Sequence, residues 1–269
     1  MITGFVGIGS MGGMLVRGLL RSRALAVENA WAANRSEDKL TALAAAFPGI
    51  HVASNRKVAA NCDLIFLCLK APDATSVLAQ IDPELHPGQL LVTTASQIPL
   101  QALENRVPCR VAKLIPSITQ EIGAGVALLM YGSRATADDH KLLDDLLGRI
   151  SHPMVIAESQ SRPAIGLASG GPAFVAYLLE SMAEEAARSH PDFSPELARS
   201  LVQETATATF RLMAEANMNP AEVIRRVAHP GGMTALGIEV LPRLRHVAWQ
   251  AVFRESAERE KTARETLAL

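Results

Sequence analysis

Short apolar runs and amphipathic segments alternate over the first half of the chain, from residue 1 to about residue 156. Each run is short enough to be a buried strand, and most pairs of runs are separated by a segment with helical spacing. Because parallel strands need a crossover between them, this order predicts βαβ units on a mainly parallel sheet. The predicted strands lie near residues 2–6, 30–33, 50–53, 64–69, 90–94, 110–114, 124–129 and 154–156.

The strand pattern ends after Glu158, and long segments with apolar residues at helical spacing follow it. Glycine and proline interrupt these segments, so the second half is predicted to be all-helical. Two helices carry apolar stripes that we expect to be core. One stripe comprises Phe174, Leu178, Met182 and Ala186, and the other comprises Leu197, Leu201, Thr205, Ala208 and Leu212. The predicted domains are residues 1–158 and 159–269.

Composition and charge exclude several classes of partner. The 26 basic and 27 acidic side chains nearly cancel, and no stretch is basic enough to bind nucleic acid, so a small-molecule substrate is expected. No apolar run approaches the roughly 20 residues that cross a membrane. The three cysteines lack the pair spacing of a zinc site, and the chain opens without a signal peptide, so we expect a cytoplasmic protein.

A glycine motif directly follows the first predicted strand and opens a helical segment. It comprises Gly7, Ile8, Gly9, Ser10, Met11 and Gly12. In such a loop the first glycine allows a tight turn, the second lets a pyrophosphate approach the backbone, and the third lets the helix pack on the strand. The motif therefore predicts a Rossmann domain, a doubly wound α/β sheet that binds a nicotinamide dinucleotide through these six residues.

Two further strand ends bear on the cofactor. An acidic residue after the second strand would favour NAD(H), whereas this chain has Asn34, Arg35 and Ser36, a polar and positive group suited to a phosphate. NADP(H) is therefore favoured, with NAD(H) as the alternative. Ser36 could also simply cap the next helix. The fourth strand ends at the cofactor edge of the sheet in Leu69, Lys70 and Pro72, where Lys70 either contacts the cofactor or closes a strand in solvent.

These motifs together resemble the pyrroline-5-carboxylate reductase family over nearly the whole chain. Two later segments carry the resemblance most specifically, namely residues 169–173 and 230–234. The resemblance implies a Rossmann domain followed by a helical dimerisation domain, and hence a homodimer or higher homo-oligomer. It also implies NADPH-dependent reduction of 1-pyrroline-5-carboxylate to L-proline. The substrate-binding residues that it implies are Ser169, Gly170, Gly231, Gly232, Met233 and Thr234.

Thr234 and Ser117 are the predicted catalytic residues. Hydride transfer to an imine mainly requires positioning, and residues 230–234 would offer helix N–H groups and the Thr234 hydroxyl to the substrate carboxylate. The alternative is that Thr234 is an ordinary helix-capping or first-turn threonine. Ser117 either hydrogen-bonds the nicotinamide or substrate, or only turns the chain. His229 could donate a proton, although a histidine beside a proline turn is more often a surface residue.

Departures from the family pattern leave a second function open. Ser117 replaces an asparagine, Thr119 a proline and His229 a serine, and the segment around Ser117 is closer to the family's late-competence branch. The alternative is a dinucleotide-binding regulatory protein with little or no reductase activity. A β-hydroxyacid dehydrogenase is disfavoured, because that class needs a lysine in its helical domain and none occurs between Lys141 and Lys261.

Overall fold

The structure, a computed structural model, describes residues 1–265, with residues 243–248 and 264 described by their backbone alone. One eight-stranded sheet has the order β3-β2-β1-β4-β5-β6-β7-β8. Its strands are β1 (Thr3–Val6), β2 (Ala30–Ala33), β3 (His51–Val52), β4 (Leu64–Leu67), β5 (Leu90–Thr93), β6 (Arg110–Ile115), β7 (Val126–Tyr131) and β8 (His152–Val155). Every predicted strand is present, within a few residues of its expected position.

The sheet changes direction at its seventh strand. The first six strands are mutually parallel, whereas β7 runs antiparallel to β6 and β8 runs parallel to β7. The segment that joins β6 to β7 contains only the short 3-10 helix Ile118–Ile122. Without a crossover helix, the chain returns in the opposite direction. This reversal was not predicted from the sequence.

Helices cover both faces of the sheet. They are α1 (Ser10–Arg21), α2 (Glu37–Ala46), α3 (Asn55–Asn61), α4 (Ala71–Ile81), α5 (Leu100–Arg106), α6 (Ala137–Leu147) and α7 (Ser161–Ala168). One core layer contains residues of α1, α2 and α6 together with Phe5 of β1, and the other contains residues of α3, α4 and α5 together with Val6. Because neighbouring residues of β1 point into opposite layers, the predicted doubly wound fold is confirmed.

The chain divides into two compact units. The first comprises Met1–Gly170 and residues 256–265, and the second comprises Gly171–Glu255. The division at Gly170 lies beyond the predicted one at residue 158, because Ile165 and Ala168 of α7 pack against the sheet core. In the same unit Glu260 pairs with Arg162 at 2.9 Å. Residues 266–269 of the predicted second domain lie outside the described residues.

The second unit is helical, as predicted. Its helices are α8 (Gly171–Arg188), α9 (Pro195–Glu215), α10 (Pro220–Val227), α11 (Met233–Val240) and the first part of α12 (Pro242–Glu265). Within the described residues, none of the helices combines the length and apolar character that crossing a membrane requires.

Most large side chains of the two apolar stripes are exposed in the single chain, contrary to the expectation that they form its core, whereas Phe174 is partly buried. Leu178 of α8 and Leu201 of α9 are each 50% exposed. The buried contact between these helices uses Ala183, Ala198 and Val202 instead. Small residues let two helices approach closely, so the bulky residues on neighbouring positions are left on the surface. Helical spacing alone does not tell which of two apolar faces a helix buries.

An ion pair between a buried lysine and a partly exposed glutamate joins three elements of the first unit. The Lys113 ammonium on β6 is 1% exposed and lies 2.5 Å from Glu158 Oε1. Lys113 Nζ also donates to the Ser96 carbonyl, and the Glu158 carboxylate accepts from the Leu100 N–H at the start of α5. Each charge thus has a partner that offsets the cost of leaving water.

Glu158→Gln is expected to lower the free energy of unfolding by about 3 kcal/mol, because the buried Lys113 cation loses its carboxylate. Urea denaturation followed by circular dichroism measures the change. Asp145→Asn is the matched control, since Asp145 pairs with Lys141 on the surface and its loss should cost no more than about 0.5 kcal/mol. Equal losses in the two variants would contradict the assigned role of the pair formed by Lys113 and Glu158.

Candidate functional site

Three predicted loops meet at the carboxyl edge of the sheet. Strand β1 lies between β2 and β4, with Val6 opposite Ala33 on one side and Leu67 on the other. The segments that follow these three strands therefore leave the sheet side by side. This point is also where the strand order reverses, which is where open α/β sheets bind ligands.

The three glycines of the first loop differ in the space around them. Gly7 has φ +88°, and a Cβ there would lie 2.8 Å from the Cys68 carbonyl oxygen. A Cβ on Gly12 would lie 2.0 Å from the Gly7 carbonyl oxygen, so α1 can approach β1 only without a side chain there. A Cβ on Gly9 would meet nothing within 4 Å. Two glycines are required by packing, and the third borders open space.

The amino end of α1 adjoins that open space. The helix begins at Ser10 after Gly9, and no side-chain hydrogen bond from Gly9 caps it. The N–H groups of Ser10, Met11 and Gly12 have no acceptor within the helix, and they lie at the positive end of its dipole. This arrangement fits an anion that approaches the backbone at Gly9.

Asn34 braces the glycine loop, a role that the sequence motif did not predict. Its Oδ1 accepts from the Ile8 N–H at 3.0 Å, and its Nδ2 donates to the Ser36 carbonyl at 3.2 Å. The amide therefore holds the glycine loop against the turn after β2 through its oxygen and one of its two N–H groups. The motif alone could not show this, because both partners are backbone groups.

Arg35 and Ser36 remain as candidate phosphate ligands. Arg35 is exposed and makes no hydrogen bond or ion pair with the described residues. Ser36 precedes α2, but its hydroxyl makes no capping hydrogen bond, so the alternative capping role is not observed. Glu37 and Asp38 occupy the first turn of that helix.

The turn after β4 borders the glycine loop. A Cβ on Gly7 would lie 2.5 Å from Leu69 Cδ2, so Leu69 packs directly against the first glycine. Lys70 is exposed at the start of α4, and Pro72 lies in that helix's first turn. Burial raises the pKa of the neighbouring Cys68 thiol to about 12, so it is a neutral packing group rather than a nucleophile.

Ser117 lies inside the turn that follows β6. It is 1% exposed, and its hydroxyl accepts from Thr119 Oγ1 at 3.0 Å. Its N–H donates to Gln120 Oε1 at 3.1 Å. A Cβ on Gly125, whose φ is +82°, would lie 1.9 Å from Thr119 Oγ1, so the returning chain closes over this turn. These contacts favour the turn-forming role of Ser117 over direct contact with a ligand.

Ser169 and Gly170 end α7 in the first unit. Both of their N–H groups donate to the Ile165 carbonyl, at 3.0 and 3.1 Å. Sharing one acceptor terminates the helix, and neither residue is fully exposed. A Cβ on the next residue, Gly171, would meet nothing within 4 Å.

The predicted substrate loop lies in the second unit, at the start of α11. Gly231 has φ +77°, and the Gly232 N–H donates to the His229 carbonyl at 2.9 Å, which closes the turn. Met233 and Thr234 form the exposed first turn of the helix, with N–H groups that have no helical acceptor. His229 is exposed, as the surface interpretation of this residue requires.

The structure adds residues that sequence analysis missed. A lysine inside an apolar strand signals a buried partner, but nothing in the sequence shows that Lys113 pairs with Glu158, 45 positions away. Among the described residues, no group of three or more histidine, cysteine or acidic side chains could hold a metal ion.

Comparisons with known proteins agree with this architecture. Residues 158–263 match the family described as pyrroline-5-carboxylate reductase dimerisation, and residues 2–97 match the one described as NADP oxidoreductase coenzyme F420-dependent. The crystal structure of Plasmodium falciparum pyrroline carboxylate reductase with NADP bound has a TM-score of 0.81 at 22% identity, covering 98% of this chain and 97% of that one. The two proteins therefore share the fold.

Sequence relatives establish the family. ComE operon protein 4 of Bacillus subtilis is 31% identical over 239 residues, which are 88% of this chain and 87% of the relative. Pyrroline-5-carboxylate reductase of Methanosarcina acetivorans is 28% identical over 263 residues, 96% of each chain. These matches confirm the predicted oxidoreductase class and the resemblance to the late-competence branch. The chain belongs to the pyrroline-5-carboxylate reductase family.

Proposed function

We propose that this protein is an NADPH-dependent reductase of a cyclic imine, with 1-pyrroline-5-carboxylate as the substrate and L-proline as the product. The observation that carries the proposal is the open space at Gly9. Gly9 lies between Gly7 and Gly12, where neighbouring atoms leave no room for a side chain. Such a loop at the carboxyl edge of a parallel sheet suits the close approach of a dinucleotide pyrophosphate. Family membership supports the choice of substrate.

The residues at the sheet edge fit an NADP(H) molecule. The N–H groups of Ser10 and Met11 would bind the pyrophosphate, with Asn34 holding the loop in place. Arg35 and Ser36 would bind the ribose phosphate, since the Arg35 guanidinium is exposed and the Ser36 hydroxyl caps no helix. Leu69, Lys70 and Pro72 would border the cofactor on the β4 side. The NADP held by the Plasmodium falciparum relative supports this assignment.

The chemistry needs few reactive side chains. The imine carbon would receive a hydride from NADPH, when that cofactor is bound, and the ring nitrogen would take up one proton from solvent, which gives a secondary amine. The task of the protein is to orient the ring and to exclude water. We therefore assign no acid–base role to His229, which is exposed, or to Ser117, which is buried in its turn.

The substrate carboxylate would bind at the start of α11. The N–H groups of Met233 and Thr234 lie at the positive end of that helix, and Gly231 and Gly232 leave the backbone accessible. The exposed Thr234 hydroxyl would add one hydrogen bond to the carboxylate. Ser169 and Gly170, at the end of α7 in the first unit, are further proposed substrate-binding residues through their backbone.

A homodimer is the assembly that the second unit favours. Large apolar side chains of α8 and α9 are about half exposed, among them Leu178, Met182, Leu197 and Leu201. An apolar surface of this kind is stable in water when a second copy covers it. The description of the matching family as a dimerisation domain supports the same assembly.

The regulatory alternative rests on the likeness to ComE operon protein 4 and on the buried position of Ser117. A protein of that kind would bind NADPH without oxidising it when 1-pyrroline-5-carboxylate is supplied. The two functions thus differ in turnover and agree in cofactor binding.

Gly9→Ala is expected to leave the thermal stability of the cofactor-free protein unchanged, because its Cβ meets no atom within 4 Å, and to weaken NADPH binding at least tenfold by filling the approach to the backbone. Gly12→Ala is the matched variant, since its Cβ would overlap the Gly7 carbonyl and lower stability even without cofactor. Calorimetric titration and thermal unfolding measure both effects. Unchanged NADPH affinity in Gly9→Ala would refute the proposed cofactor site.

Thr234→Ala is expected to lower kcat/KM for 1-pyrroline-5-carboxylate by about 10- to 100-fold, the value of one hydrogen bond to a charged group. NADPH affinity should not change. The absorbance of reduced nicotinamide follows turnover, and Thr262→Ala, an exposed threonine on α12, is the control. If the unaltered protein binds NADPH but never oxidises it with this substrate, the regulatory alternative replaces the enzyme.

Leu201→Asp is expected to convert the assembly to a monomer, because a carboxylate on the exposed face of α9 would have to be buried by the second copy. Sedimentation velocity measures the mass of the unaltered protein and the variant. Val52→Asp, on a strand of the first unit with 48% exposure, should leave the mass unchanged. An unaltered protein that sediments as a monomer would contradict the homodimer.

A further inference from the structure

Arg17 of α1 folds back over the first turn of its own helix. An ideal Cβ on Gly13 would lie 2.9 Å from Arg17 Nη1, so the guanidinium occupies the place where a side chain at position 13 would begin. The same Cβ would lie 3.2 Å from the Ile8 carbonyl oxygen. The guanidinium therefore lies beside the glycine loop. Helical side chains lean toward the amino end, and the absence of a side chain at Gly13 provides the room.

This position is electrostatically unfavourable for a cation. The amino end of a helix carries partial positive charge, which favours anions and disfavours an arginine. Arg17 makes no hydrogen bond or ion pair with the described residues that would compensate. Gly13 also costs helix stability relative to alanine. Arg21, in contrast, lies in the last turn of the same helix, where a cation is favoured.

An anion beside the loop would reverse this balance. The guanidinium presents forked N–H donors that match phosphate oxygens. A glycine at position 13 would then leave the room that the Arg17 guanidinium needs to reach the anion. We propose that Arg17 binds the pyrophosphate of the dinucleotide, as a second contact beside the N–H groups of α1. This inference rests on the proposed function, and it names a cofactor contact outside the glycine motif.

The test compares NADPH and NADH binding, because both carry the pyrophosphate and only NADPH carries the ribose phosphate. Arg17→Gln should weaken the binding of both by a similar factor, about tenfold for one charge-assisted contact, in calorimetric titrations. Arg21→Gln should change neither by more than about twofold. A loss confined to NADPH, or no loss at all, would overturn the assignment. If the unaltered protein binds neither dinucleotide, the proposed function itself fails.

Gly13→Ala provides a second, independent test. The Cβ that this substitution adds would displace the guanidinium of Arg17, so Gly13→Ala as a single substitution should weaken NADPH binding. When it is combined with Arg17→Gln, it should cause no further loss of affinity. Equal losses in both backgrounds would show that Gly13 acts on the loop alone, which would overturn the pairing. The cofactor-free Arg17→Gln protein should unfold at the same or a higher temperature. A lower temperature would assign Arg17 a structural role instead.

Discussion

The approach of α1 to β1 at Gly7 and Gly12 is the contact on which the site depends. The Gly7 carbonyl lies where a Cβ on Gly12 would be, so the helix starts immediately beside the strand end. This contact directs the free N–H groups of the first turn toward the open space at Gly9. Asn34 then holds the loop to the neighbouring strand through Ile8. A wider turn between β1 and α1 would direct the helix dipole away from Gly9 and would lose the hydrogen bond from Ile8 to Asn34.

The elements of the first unit could be predicted because their signals are local. Each strand is an apolar run between turn residues, and the glycine motif carries its own structural requirement, since φ +88° at Gly7 disfavours other residues. The reversal of β7 could not be predicted in this way. The reversal follows from the absence of a crossover helix between β6 and β7. The short loop around Ser117 does not by itself reveal whether the next strand pairs with β6.

Side-chain roles were harder to predict than elements. Asn34 and Ser117 have the polarity that a ligand contact requires, but their partners are found within the protein. The pairing of Lys113 with Glu158 depends on two elements that are distant along the chain. In the helical unit, Ala183 and Ala198 form the contact while larger neighbours remain outside, a choice that depends on packing geometry rather than on hydrophobicity. The substrate role proposed for residues 230–234 rests on family resemblance, since periodicity alone predicts only a turn there.

Residues 256–265 belong to the same compact unit as the first 170 residues, and Glu260 pairs there with Arg162. The first unit is therefore discontinuous in sequence, with the helical unit inserted between its parts. During synthesis on the ribosome, the amino-terminal part emerges long before the segment that completes its surface. Its final native contacts must wait until residues 256–265 have been synthesised, and neither unit can be excised by a single cut in the gene.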